Sequence, residues 1–68
     1  MSELNPEVGE TAGKIWETLS AEGPQTLAQL KKKVNGSPEL VNFALGWLAR
    51  EDKIDIVQDK KTYRAQLK

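Results

Sequence analysis

Residues 37–53, Ser37-Pro38-Glu39-Leu40-Val41-Asn42-Phe43-Ala44-Leu45-Gly46-Trp47-Leu48-Ala49-Arg50-Glu51-Asp52-Lys53, read as the longest and most apolar helix of the chain, with a hairpin directly behind it. Serine is a good N-cap, proline is pre-set for the first helical position, and an early glutamate suits the positive end of the helix dipole. The helix is expected to run to Arg50 or Glu51. At about 100° per residue, Val41, Ala44, Leu45 and Leu48 share an inner face. Glu39, Asn42, Phe43, Gly46 and Arg50 then point outward, with Leu40 and Trp47 along one edge.

Past Lys53 the period changes from helical to alternating. Ile54, Ile56 and Gln58 fall on one side, opposite Asp55, Val57 and Asp59. After the polar turn Asp59-Lys60-Lys61, Tyr63, Ala65 and Leu67 alternate inward, and Thr62, Arg64 and Gln66 outward. The two runs make a β-hairpin whose Ile54, Ile56, Tyr63 and Leu67 are expected to lie on the helices, because a lone hairpin is only marginally stable in water.

Ahead of the opening stretch, Thr26-Leu27-Ala28-Gln29 has the spacing of a capping box and starts a short second helix. Leu27, Leu30 and Val34 form its narrow apolar stripe, Gln29, Lys32 and Lys33 project outward, and Asn35-Gly36 ends it in a tight turn. The first helix opens at Asn5-Pro6-Glu7 with Asn5 as cap, or as late as Thr11. Val8, Ala12, Ile15, Trp16 and Leu19 recur on one face before Gly23-Pro24 stops it. Gln25-Thr26 can add a very short strand beside the hairpin. Three helices and a terminal hairpin wing describe an α+β winged helix-turn-helix, one domain over residues 1–68 with residues 1–5 outside the ordered part. The expected core is Ile15, Leu19, Leu27, Leu30, Val34, Val41, Ala44, Leu45, Leu48, Ile54 and Leu67.

Composition narrows the function. A chain of 68 residues has room for one small core. It contains neither cysteine nor histidine, so disulfides and the usual zinc, haem and iron–sulfur ligands are absent, and no metal or cofactor is expected. No stretch approaches the roughly 20 apolar residues of a membrane span, and the start lacks a signal-peptide pattern, which makes a cytoplasmic protein the expectation. No carboxylate pair converges on a substrate and no glycine-rich phosphate loop follows a strand, so a binding module is favoured over an enzyme. The net charge is zero, yet residues 1–24 hold five glutamates against Lys14 alone, leaving the remainder net positive by four. Such polarity fits an anionic partner for the second half, head-to-tail self-association, or a solvated surface whose charges balance by chance.

Ala12-Gly13-Lys14-Ile15-Trp16, together with Ala44-Leu45-Gly46-Trp47-Leu48-Ala49-Arg50-Glu51-Asp52-Lys53-Ile54, resembles the short bacterial winged helix-turn-helix domains grouped as a family of unknown function. The Leu-Gly-Trp-Leu-Ala-Arg-Glu string is its most specific part. The resemblance implies the fold and a bacterial setting, and it carries over no activity or catalytic residue.

Two functional readings follow from the outer face of the third helix. In the first, double-stranded DNA is bound. Asn42 and Arg50 offer base-reading chemistry, and Lys32, Lys33, Lys53, Lys60, Lys61 and Arg64 offer phosphate contacts. Glu39 opposes this reading where the helix would approach phosphates. In the second, Leu40, Phe43, Gly46 and Trp47 form an apolar protein interface, for a partner or for a second copy. Gly46 inside a helix costs about 1 kcal/mol relative to alanine, which calls for close approach of another group. Gly9 and Gly13 border Trp16 in the same fashion. The competing structural reading makes Trp16 and Trp47 edges of the core and the lysines a solvated surface.

Overall fold

The structure, a computed structural model, describes residues 3–34 and 36–68. Six elements follow in order: α1 (Asn5–Glu22), β1 (Gln25–Thr26), α2 (Leu27–Lys33), α3 (Pro38–Arg50), β2 (Ile54–Asp59) and β3 (Thr62–Leu67). This is the expected α+β winged helix-turn-helix. At 18 residues against 13, α1 and not α3 is the longest helix. The sequence estimate undervalued α1 because Gly9 and Gly13 weaken it locally, while packing on α3 holds it together.

The helix boundaries follow capping chemistry. Ser37 caps α3, its hydroxyl accepting from the Leu40 N–H at 3.2 Å, with Pro38 in the first turn. Thr26 and Gln29 close a reciprocal capping box on α2, with N···O distances of 3.2 and 2.9 Å. In α1 the cap falls one residue earlier than expected. Asn5 is already helical, and Leu4 takes the cap position without a side-chain bond. Met1, Ser2 and Asn35, the first residue of the expected Asn35-Gly36 turn, lie outside the described residues. Gly36 adopts φ 147, a conformation open mainly to glycine, where the chain turns from α2 into α3.

The exit from α3 sets the wing. The Lys53 N–H donates to Leu48 O at 3.0 Å and the Asp52 N–H to Ala49 O at 3.1 Å, with Asp52 left-handed at φ 64. These two bonds are the Schellman closure, made here with aspartate in the place glycine usually takes. The chain is thereby thrown directly into β2. Lys68 ties the far end to the same corner: its N–H donates to Lys53 O at 3.2 Å, and its ammonium pairs with Asp52 and, at 3.9 Å, with Asp55. The hydrogen bond and the charge of Asp52 hold the Lys68 ammonium above its ordinary pKa range.

β3 is the central strand of an antiparallel sheet ordered β1-β3-β2, so the short Gln25–Thr26 strand forms as expected. Ala65 pairs with Gln25 on one side and Ile56 on the other, and Ile54 pairs with Leu67. Ile15, Leu19, Leu30, Val34, Val41, Ala44, Leu45, Leu48 and Ile54 are buried, as expected, and Ala12 and Ala65 join them. Leu27 and Leu67 are half-buried against this cluster instead of inside it. Two positions expected on the helices are uncovered: Ile56 is 41% exposed and Tyr63 47%. The pleat places both on the helix-facing side, with Ile54 and Ala65, but there they border an open groove against α2 and α3 instead of packing into the core. Trp16 likewise stands at the margin of the α1 apolar face, 44% exposed.

Lys60 sits in the two-residue wing turn at φ 59, a left-handed conformation that costs a non-glycine residue about 1–2 kcal/mol. Part of that cost returns as unfolded-chain entropy when glycine is substituted, so Lys60→Gly is expected to raise stability by about 0.5 kcal/mol. Urea denaturation checks this: the midpoint should rise at constant slope, and a fall would mean the turn does not need the left-handed conformation.

Candidate nucleic-acid interface

The uncovered outer half of the wing faces α3 across a groove. Asn42 and Gly46 from α3, Leu27 from α2, and Ile56 and Tyr63 from the wing enclose about 260 Å³. The groove continues outward as a wider hollow of about 410 Å³ between Thr26 and Lys31 on one rim and Lys61 and Thr62 on the other. Asn42 and Tyr63 line both parts. The floor is therefore apolar, one amide stands at its centre, and an ammonium group stands on each rim.

Local chemistry explains each position. The capping box starts α2 sharply at Leu27 and directs Lys31 to the groove one turn later. The two-residue turn presents Lys60 and Lys61 at the tip of the wing. The helical period turns Asn42 and Gly46 toward the wing, because they lie about one turn apart on the side of α3 away from Trp47. A Cβ placed on Gly46 would meet nothing within 4 Å. No internal contact requires glycine there.

The structure divides the residues that sequence reading grouped together. Asn42 and Lys61 line the groove, Lys60 stands at its tip, and Lys32 is exposed on α2. Lys33 has structural work instead: its ammonium donates to Glu22 at 2.5 Å and to the carbonyl oxygen of the buried Gln25 side chain at 2.9 Å, joining α2 to the end of α1 and to β1. Arg64 lies on the opposite face of the sheet, across from Val57, with its Nε covered and without a partner. Lys53 borders a different hollow, between α1 and α3. Arg50 is exposed at the C-terminal end of α3. Glu39 is exposed in the first turn of α3, so an anion approaching this helix meets a carboxylate before it meets Asn42.

The apolar quartet also splits. Gly46 belongs to the wing groove, Trp47 lines the α1–α3 hollow at 53% exposure, and Leu40 is half-buried. Phe43, 51% exposed, stands on the outer ridge of α3 between the two. Lys31, Thr26 and Tyr63 were missed as groove residues. Lys31 was in sight in the Lys31-Lys32-Lys33 run, but only its phase relative to the wing separates it from its neighbours.

Among the described residues no group of histidine, cysteine or carboxylate side chains is arranged to hold a metal ion. Among the same residues no helix is long and apolar enough to cross a membrane. Comparison with known proteins matches residues 1–66 to the family model of the winged helix-turn-helix domain DUF2582. The uncharacterized protein MJ1608 of Methanocaldococcus jannaschii is 41% identical over 71 residues, covering all of both chains. That relative is archaeal, whereas the resemblance read from the sequence implied a bacterial setting.

Two substitutions on α3 test this placement without any ligand. Phe43→Ser should change stability by no more than about 0.5 kcal/mol, as for surface positions, whereas a core phenylalanine would cost about 3–5 kcal/mol. Gly46→Ala should stabilise by up to about 1 kcal/mol, since its methyl enters open space. Chemical denaturation of both variants reads the two effects, and a destabilised Gly46→Ala would show an internal contact at that site.

Proposed function

The chain belongs to the winged helix-turn-helix domain family DUF2582, and from that membership we propose that it is a cytoplasmic, non-enzymatic module that binds double-stranded DNA through the groove between α3 and the wing. The observation that carries this reading is the convergence of Asn42, Lys31 and Lys61 on one groove from three separate elements. Lys31 and Lys61 both line that groove, from α2 and from the wing turn, where each can reach a phosphate. Asn42 is the one amide lining the groove, able to donate and accept toward a single base in the bidentate pattern that suits adenine. Gly46 leaves that floor low, so a base edge can approach the helix backbone.

Glu39 shapes the mode of docking. With a carboxylate in its first turn, α3 enters a groove by its middle, Asn42 to Gly46, in place of its N-terminus. Lys60 adds a phosphate contact from the wing tip, and Lys32 and Arg50 extend the basic surface to either side. The protein-interface reading of Leu40, Phe43, Gly46 and Trp47 draws on the half-exposed Phe43 and Trp47. It separates into two places on the molecule, of which the one at Trp47 is taken up below.

Three groove lysines imply a salt dependence of log K on log [salt] with a slope of about −3. Each of Lys31→Ala, Lys60→Ala and Lys61→Ala should lessen that slope by about one and weaken every duplex alike. Asn42→Ala should cost about 1–3 kcal/mol on a preferred duplex and little on others. Titration of labelled protein with several duplexes at low salt should shift the amides of Lys31, Asn42, Gly46, Lys61 and Tyr63. If those signals stay in place with every duplex, the reading is wrong.

A further inference from the structure

We propose that a second copy of this chain covers the cleft between α1 and α3, in a twofold dimer where Trp47 of each copy enters the cleft of the other. The cleft is separate from the wing groove. Gly9, Gly13 and Trp16 of α1 face Trp47 and Leu48 of α3 across about 350 Å³. A smaller hollow of about 170 Å³ extends it over Val8 toward the start of α1, sharing Gly9 and Trp47.

Three features point to a covered surface. Both indoles leave about half of their area in solvent. Gly9 and Gly13, mid-helix and costly there, meet nothing within 4 Å when a Cβ is added, so their bareness serves nothing inside the molecule. The rims are charged with opposite sign: Glu17 on α1 and Lys53 at the head of β2, neither in an ion pair among the described residues.

That pair of charges selects the occupant. A twofold axis sets residue i of one copy against residue j of the other and the reverse, so a second copy would match Glu17 to Lys53 twice. An acidic ligand satisfies only Lys53 and a basic one only Glu17. Nucleic acid and anionic lipid are further disfavoured by Glu10 and Glu17, which flank Gly13 on α1. The area is also in proportion. Each half-exposed indole offers about 100 Å², so with Val8 and the bare α1 backbone the patch stays well under the ~800 Å² per partner of a standard interface and suits a weak, reversible contact. Asn42 and Gly46 lie on the other flank of α3, so each wing groove stays open in the dimer.

Sedimentation equilibrium on the full chain, from about 5 µM to about 1 mM, tests the proposal without DNA, so its outcome is independent of the DNA reading. The mass should rise from 7.6 kDa toward twice that value. Gly13→Leu, which fills the cleft, and Trp47→Ala, which empties it, should each weaken dimerisation by about tenfold or more. Glu17→Lys and Lys53→Glu should each weaken it, and the double variant should restore it. Lys53 and Glu17 are exposed, so the charge variants remain decisive even where Gly13→Leu disturbs folding. A protein that stays at 7.6 kDa at millimolar concentration overturns the proposal. So does a dimer indifferent to the charge reversals, or one that the double variant fails to restore.

Discussion

The contact between α1 and α3 is what the rest of the molecule depends on. Ala12, Ile15 and Leu19 on one helix meet Val41, Ala44, Leu45 and Leu48 on the other, and these residues supply most of the buried cluster. α2 and its C-cap close that cluster with Leu30 and Val34, and the sheet contributes only Ile54 and Ala65 to it. No disulfide assists, and a chain of 68 residues has few other apolar groups to spare. The wing inherits its position from this contact, because the Schellman closure at Asp52 and Lys53 fixes the direction in which β2 leaves α3. Lys68 fastens β3 to the same corner. The groove is therefore positioned by α3, and α3 by α1.

How much of this could be read beforehand depends on the range over which each signal acts. The capping box at Thr26, the Ser37-Pro38 start, the short β1 strand and the switch to an alternating period at Ile54 are local, and each lies where the residues put it. The inner face of α3 was legible for the same reason. What failed was coverage. Alternation assigns Ile56 and Tyr63 to the helix-facing side of the hairpin, and the register agrees, but periodicity does not say how far the helices reach beneath it. Ala12 and Ala65 are buried where they would be passed over as small; a strand lying close on a helix pair leaves no room for more.

The candidate site was less legible because it is made of phases between elements, not within them. Lys31, Lys32 and Lys33 are consecutive and chemically identical, yet one lines the groove, one is exposed, and one satisfies Glu22 and the buried Gln25. Their roles are set by where β1 and the wing pass, which the α2 sequence does not contain. In the same way Gly46 and Trp47 are neighbours on α3 but belong to different surfaces, since one step along a helix turns a side chain by about 100°. An outer face read as a single patch becomes two sites with Phe43 on the ridge between.

Stability itself marks these surfaces. A domain of this size has a net stability of only about 5–15 kcal/mol at most, and each mid-helix glycine removes about 1 kcal/mol of it. Gly9, Gly13 and Gly46 take that loss at positions where the fold would accept a larger residue. Gly36 differs, because its φ of 147 gives glycine an internal reason. The three unexplained glycines are not scattered: Gly46 lies on the floor of the wing groove, and Gly9 and Gly13 lie on the wall of the α1–α3 cleft. Both hollows also hold aromatic side chains that the fold leaves half in water. Two independent departures from what folding alone favours, missing side chains and uncovered rings, thus coincide at the same two places. On the two proposals made above, those places are where the molecule meets something outside itself.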